Sequence, residues 1–134
     1  MAGTPAESFA DIVALARARL TAVEVKEDTD AERGILTVHG CFDRYRILLK
    51  ETRSLGRRRY AFYILLGERV MLGFDNHPDH HALRLKYGRD FAAHIYELIP
   101  HRHSSDKSST ELTAEWTAAS FLDNLERLIA QIGS

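Results

Sequence analysis

The hydrophobic positions of the chain change their period twice, and this divides the sequence into a helix, a sheet and a second helix. Near the N-terminus apolar residues recur at intervals of three or four, which predicts an amphipathic helix from about Pro5 to Leu20. Thr4 and Glu7 have the spacing of a capping box, and proline is tolerated at the first helical position. The apolar stripe consists of Phe9, Ile12, Val13, Ala16 and Leu20.

Between about residues 23 and 75 the period shortens to two, which is typical of half-buried β-strands. The alternation is clearest over 44–50 and over 60–66. Short turn sequences separate the strands, at Asp43-Arg44, Ser54-Leu55-Gly56 and Gly67-Glu68. Consecutive strands with such short connections favour an antiparallel meander, and we expect about five strands.

The last third of the chain begins with a polar breaker, Asn76 to Asp79, after which two structures compete. Residues 82–99 fit either a short helix capped by Asp90 or a strand over 93–99. Residues 104–110 have the composition of a loop. Ser108 and Glu111 then have capping-box spacing, and apolar residues at intervals of three or four continue to Ile132. They predict a second amphipathic helix.

The expected fold is therefore one α+β domain over residues 1–134. It has an N-terminal helix, an antiparallel sheet of about five strands, an irregular histidine-rich segment and a C-terminal helix packed on the sheet. A chain of 134 residues with 45% hydrophobic residues can bury one core. We expect a cytoplasmic protein with no membrane segment and no secretory signal, and the single Cys41 cannot form an internal disulfide.

Charge is unevenly distributed along the chain. Residues 33–60 carry eight basic and only two acidic side chains, whereas 22–32 are acidic. This basic region predicts a surface for RNA, another nucleic acid or an acidic protein partner, and the competing interpretation is a solvated sheet face. The candidate phosphate- or RNA-binding residues are Arg44, Arg46, Lys50, Arg57, Arg58, Arg59 and, later in the chain, Arg102.

Six of the seven histidines fall between His77 and His103. Histidine changes charge near neutral pH, so two of them could act as acid and base in metal-independent RNA cleavage while guanidinium groups hold the phosphate. The catalytic candidates are His80, His81, His101 and His103, with Asp75 orienting an imidazole.

Two other interpretations of the histidines remain open. The same four histidines could bind zinc or another divalent metal, although the helical zinc motif His-Glu-x-x-His is absent and we expect no cofactor. The segment could also be structural, since Asn76, Pro78 and Pro100 are turn formers whose neighbours would only brace a loop.

Two segments resemble the TumE family of toxins from prokaryotic toxin–antitoxin pairs. Phe74-Asp75-Asn76-His77-Pro78 followed by His80-His81 is similar to one family segment, with Asp79 inserted, and Pro100-His101-Arg102-His103 is similar to the second. The resemblance implies a growth-inhibiting ribonuclease, neutralised by a cognate antitoxin that often carries a DNA-binding helix-turn-helix. The alternatives are a non-enzymatic interaction protein with a basic sheet face and, third, a metal-dependent hydrolase. An exposed edge strand would also permit a homodimer.

Overall fold

A single antiparallel sheet of seven strands forms the centre of the fold. The computed structural model describes residues 7–104 and 109–132, and sheet order follows chain order throughout this part of the protein. The strands are β1 Thr21–Thr29, β2 Arg33–Phe42, β3 Tyr45–Ser54, β4 Arg57–Leu66, β5 Arg69–Asp75, β6 His101–Ser104 and β7 Ser109–Leu112. The α+β class and the antiparallel meander are confirmed, but the sheet has more strands than the expected five.

The predicted turns form as tight hairpins. Asp43, Leu55, Gly56 and Gly67 all have positive φ, a conformation that lets two- and three-residue connections join twisted strands. Gly67 and Glu68 link β4 to β5 directly. The local turn chemistry therefore sets the order of the first five strands.

Helix α1, Phe9–Arg19, begins later than the pattern predicted. Ser8 is its N-cap, and Ser8 and Asp11 form the capping box, in which the backbone amide of each residue donates a hydrogen bond to the side-chain oxygen of the other. Thr4 and Pro5 lie outside the described residues. Glu7 has another role, because its carboxylate accepts hydrogen bonds from the amides of Ala118 and Ala119 at the start of a C-terminal helix.

The C-terminal helix is shorter than predicted. Residues 109–112 form strand β7, paired with β6, and the helical part consists of α3, Ala118–Asp123, and α4, Leu125–Ile132. Thr117 caps α3 through a capping box with Ser120. The predicted Ser108 cap and Gly133 end lie outside the described residues. Pairing with β6 satisfies the backbone of residues 109–112 and overrides both the predicted loop over 109–110 and the predicted helix start after it.

The ambiguous segment 82–99 is helical rather than extended. Helix α2, His80–Tyr87, is capped by Asp79, which accepts a hydrogen bond from the Ala82 amide at 2.9 Å, and a 3-10 helix follows over Gly88–His94. Asp90 lies inside that 3-10 helix and is not the cap. Ala82, Leu83 and Ile99 form a small buried cluster of their own.

The two faces of the sheet differ in character. Helices α1, α3 and α4 pack on one face, where Phe62, Phe74 and Phe121 are almost completely buried at the centre of the main core. Alternation along the strands directs the remaining side chains to the opposite face, here called the open face. None of the helices in the described ranges combines the length and the apolar character of a membrane-crossing segment.

Candidate functional site

The candidate site lies on the open face, where β5 meets β6. Asp75 is the last residue of β5, and its partner in the antiparallel register is His101. His103 is two residues further along β6, opposite Gly73, so both histidines project from the same face as Asp75. Asp75, His101 and His103 are all buried, at 5%, 1% and 7% exposure, and form the Asp–His–His cluster.

The polar atoms of this cluster converge. His101 Nε2 lies 3.2 Å from Asp75 Oδ1, and His103 Nε2 lies 3.5 Å from Asp75 Oδ2. The two Nε2 atoms are 3.0 Å apart, and the imidazole rings meet nearly at right angles. Three functional groups from two strands therefore face a common point.

The other ring nitrogens of the histidines point away from that point. His101 Nδ1 lies 2.5 Å from the carbonyl oxygen of Ile99, which can only accept a hydrogen bond, so Nδ1 carries the proton. His103 Nδ1 lies 3.4 Å from Thr110 Oγ1 on β7. These contacts fix the orientation of both rings, so that both Nε2 atoms face the Asp75 carboxylate.

Tyr63 completes the surroundings of Asp75. Its hydroxyl donates a hydrogen bond of 3.1 Å to Asp75 Oδ2, while the backbone amide of His77 donates to Oδ1 at 3.0 Å. The Tyr63 ring occupies the space above Gly73, its register partner, where an added Cβ would overlap the ring. Gly73 thus lets Tyr63 reach the carboxylate.

Burial and hydrogen bonding set the charge states around the cluster. Burial would raise the pKa of Asp75, but the His103 hydrogen bond, the charge of His101 and the His77 amide outweigh it and lower that pKa. Burial raises the pKa of Tyr63, and the Asp75 charge adds to that effect. Burial, with the nearby charges of Arg59, His101 and Lys50, lowers the pKa of His77 against the opposing effect of Asp75. Asp75 is therefore anionic and His77 neutral at pH 7.

The cluster forms the floor of a cavity of about 280 Å³. A smaller neighbouring cavity of about 170 Å³ is lined by Lys50, Thr52 and Arg59, and His77 lines both. An anionic and imidazole-rich site thus lies beside two cationic side chains. The residues that line the larger cavity are Tyr63, Asp75, His77, Pro78, Asp79, His81, His101, His103 and Thr110.

The structure separates the four candidate histidines. His101 and His103 join Asp75, and His81 lines the cavity from the first turn of α2. His80 is exposed and packs edge-on against Phe91 at a ring distance of 5.8 Å.

The turn residues Asn76, Pro78 and Pro100 lie beside the cluster. Asn76 is buried; its side chain accepts from the Tyr60 amide at 2.9 Å and donates to the Arg58 carbonyl at 2.8 Å. It therefore ties the end of β5 to β4. Pro78 lines the cavity, and the Pro100 carbonyl accepts a hydrogen bond from the Thr113 amide.

The basic candidates are divided between the two faces. Alternation places Arg46, Lys50, Arg57 and Arg59 on the open face, where Arg46 donates to the Gly67 carbonyl and Arg57 to the Tyr96 carbonyl. Arg44 lies in the β2–β3 turn and donates to the Tyr45 hydroxyl.

Arg58 and Arg102 lie on the face that carries the core. Arg58 is ion-paired with Glu51 and Glu115, at 2.8 and 2.9 Å. Arg102 lies 6.0 Å from the centre of the Phe74 ring and 3.8 Å from Glu111. It lines a cavity of about 430 Å³ between the sheet and α4, away from the Asp–His–His cluster.

Tyr63, His77 and Thr110 are site residues that the sequence analysis did not select. The sequence does indicate the position of Tyr63, because the apolar alternation of Tyr60, Phe62 and Ile64 puts it on the opposite face of the sheet. No sequence pattern indicates Thr110, since its approach to His103 depends on the pairing of β6 with β7.

Comparison of the chain with protein-family models, with curated proteins and with solved structures gives no match.

Proposed function

We propose that this protein cleaves phosphodiester bonds in RNA and acts as a toxin of the TumE-like kind. One observation carries the proposal: the two segments that resemble the family meet where the end of β5 pairs with β6, and their Asp75, His101 and His103 side chains converge in one cavity. Segments that are distant in the sequence but supply one set of acid–base groups are typical of a catalytic site.

RNA cleavage without free hydroxide needs a base for the ribose 2′-hydroxyl, an acid for the leaving 5′ oxygen and positive charge at the phosphate. A phosphodiester does not fit between nitrogen atoms 3.0 Å apart, so His101 and His103 do not flank the phosphorus. In this proposal the Asp–His–His cluster acts as one unit on a single oxygen, the leaving one.

The base in this proposal is His77, because it lines both the cluster's cavity and the cationic cavity beside it. His77 takes the proton of the 2′-hydroxyl, whose oxygen bonds the phosphorus. The bond from phosphorus to the 5′ oxygen breaks, and that oxygen receives a proton that the Asp–His–His cluster supplies. Lys50 and Arg59 hold the phosphate, since guanidinium and ammonium groups bind its oxygens strongly.

Growth after induced expression tests the proposal. The wild type is expected to arrest growth and degrade cellular RNA, whereas a His101→Ala/His103→Ala variant at the same soluble level does neither, because the leaving oxygen loses its proton source. A His39→Ala/His94→Ala variant removes two histidines outside the cavity and is expected to arrest growth like the wild type. Arrest by the His101→Ala/His103→Ala variant, or none by the wild type, would remove the proposal.

A second test concerns the cationic cavity. A Lys50→Ala/Arg59→Ala variant is expected to bind single-stranded RNA more weakly, and the slope of log K against log salt should become shallower by about 1.4, since each phosphate contact contributes about 0.7. Fluorescence anisotropy with a labelled RNA, repeated over a series of salt concentrations, measures this slope.

The matched control is Arg17→Ala/Arg127→Ala, which removes the same charge from helices α1 and α4 on the other side of the sheet. An equal change in both variants would mean that net charge, and not this cavity, binds RNA.

The basic open face also favours a second candidate function, a non-enzymatic module that binds RNA or an acidic protein such as a cognate antitoxin. Arg46, Lys50 and Arg59 project from neighbouring strands of this face. Intact RNA binding and growth arrest in the His101→Ala/His103→Ala variant, together with their loss in the Lys50→Ala/Arg59→Ala variant, would favour this candidate.

A further inference from the structure

We propose that the Asp–His–His cluster binds one divalent transition-metal ion of the zinc type, with its open coordination positions facing the cavity. This inference rests on the proposed function, because it concerns the same cavity. The ion would lie between the cluster and the leaving oxygen. The geometry, the fixed orientation of the rings and the types of ligand atom each point to such an ion.

The distances in the cluster match those between ligands of one ion. Metal bonds of about 2.1 Å to nitrogen and oxygen place two ligands about 3.0 Å apart at a right angle and about 3.4 Å apart at a tetrahedral angle. The two histidine Nε2 atoms are 3.0 Å apart, and each lies at such a distance from one oxygen of the carboxylate, His101 at 3.2 Å from Oδ1 and His103 at 3.5 Å from Oδ2. One ligand atom from each of Asp75, His101 and His103 can be chosen so that all lie within 4.8 Å of one another.

The outer contacts of the cluster are those that metal sites use. A metal-bound histidine normally donates its other ring N–H to a carbonyl or carboxylate, which fixes its tautomer. His101 Nδ1 does this with the Ile99 carbonyl, and His103 Nδ1 lies near Thr110 Oγ1. Asp75 in turn accepts from the Tyr63 hydroxyl. Each of the three ligands therefore also contacts a residue outside the cluster that fixes its orientation.

Two imidazoles and one carboxylate also select the ion. Nitrogen ligands suit zinc, iron, cobalt or nickel, whereas magnesium and calcium prefer oxygen. Three protein ligands leave at least one position for water, and a zinc ion lowers the pKa of that water to about 7. Such a water can donate the proton that the leaving 5′ oxygen takes up.

The test is zinc binding to the full chain, expressed without a histidine tag, stripped with chelator and titrated by calorimetry. We expect one ion per chain, and weaker binding by about 100-fold or more in both His103→Ala and Asp75→Asn. Tyr63→Phe should weaken binding by about 10-fold, since outer partners contribute about 10- to 100-fold. Cobalt should give visible absorption bands that the two ligand variants lack, and magnesium should not displace zinc.

The control is His39→Ala/His94→Ala, which should keep the affinity and the stoichiometry of the wild type. Circular dichroism shows whether each variant is folded. Asp75→Asn preserves the volume of the side chain. If a ligand variant unfolds, Tyr63→Phe still tests the site, because it keeps all three ligands. Two results would overturn the proposal, because each indicates adventitious binding to surface histidines. In the first, the control lowers the zinc affinity as much as His103→Ala does. In the second, Asp75→Asn and Tyr63→Phe both leave the zinc affinity unchanged.

Metal binding and RNA cleavage can fail separately. One bound zinc without RNA cleavage would leave the metal site standing and remove the ribonuclease function. Cleavage at the full rate by chelator-stripped protein that also fails to bind zinc in the titration would remove the metal site and leave the ribonuclease function standing.

Discussion

Replacing Asp75 by asparagine is expected to lower the rate of RNA cleavage by about 10⁴-fold, which is the scale of the loss when a carboxylate that orients a catalytic histidine becomes an amide. The substitution removes a buried anion without changing the volume of the side chain. The free energy of unfolding is expected to fall by about 1–3 kcal/mol, the cost of leaving a buried hydrogen-bond donor without an acceptor.

The reason for this loss is the hydrogen-bond pattern around the carboxylate. Oδ1 accepts from the His77 amide and Oδ2 from the Tyr63 hydroxyl, and both oxygens also face the histidine nitrogens. An asparagine has one oxygen and one NH₂ group, so a donor must turn toward His77 or Tyr63. The amide also cannot stabilise a positive charge on His101 or replace an anionic metal ligand.

Single-turnover cleavage of a short labelled RNA measures the effect. Asp28→Asn, which makes the same charge change on the exposed edge strand β1, is the control and should cleave at the wild-type rate. An Asp75→Asn rate equal to that of the wild type, in a folded variant, would show that the carboxylate has no part in the reaction.

Strands and turns that depend on local sequence could be predicted, because alternation and turn residues act over a few positions. Tyr60, Phe62 and Ile64 alternate as expected and are buried in the core. The same alternation, continued toward the start of β4, explains why consecutive arginines project from opposite faces of the sheet. Arg59 reaches the open face, whereas Arg58 shares the core face with Tyr60 and stacks on its ring at 4.5 Å.

Strands β6 and β7 could not be predicted in the same way. Over the residues of β7 the sequence predicts the end of a loop and the start of a helix, and only pairing with β6 makes them extended. The site depends on this pairing. Asp75 and His101 are far apart in the chain, and the β5–β6 register is what distinguishes His101 and His103 from His80, which has the same residue type and a similar local setting.

Replacing Glu51 by alanine is expected to lower the free energy of unfolding by about 3–5 kcal/mol, the usual cost of removing one partner of a buried ion pair. Glu51 is only 2% exposed and holds both Arg53 and Arg58, with one carboxylate oxygen on each. Urea denaturation should show the loss as a lower midpoint with an unchanged slope. Glu24→Ala on the exposed part of β1 is the control, with a change within about 0.5 kcal/mol.

The large cost arises from what the missing carboxylate leaves behind. Arg53 and Arg58 are register partners on β3 and β4, so without Glu51 two like charges lie directly opposite each other. The remaining pair of Arg58 with Glu115 compensates little, because Glu115 is largely exposed.

A Glu51→Ala/Arg53→Met/Arg58→Met variant removes all three charges and should recover most of the lost stability, since no buried charge is left unpaired. If it is less stable than Glu51→Ala alone, repulsion between the arginines is not the cause of the loss. Because Asn76 bonds the Arg58 backbone and not its side chain, the triple variant retains the contact that positions Asp75. It should therefore still cleave RNA, which would separate the structural role of Arg58 from the phosphate binding proposed for Arg59.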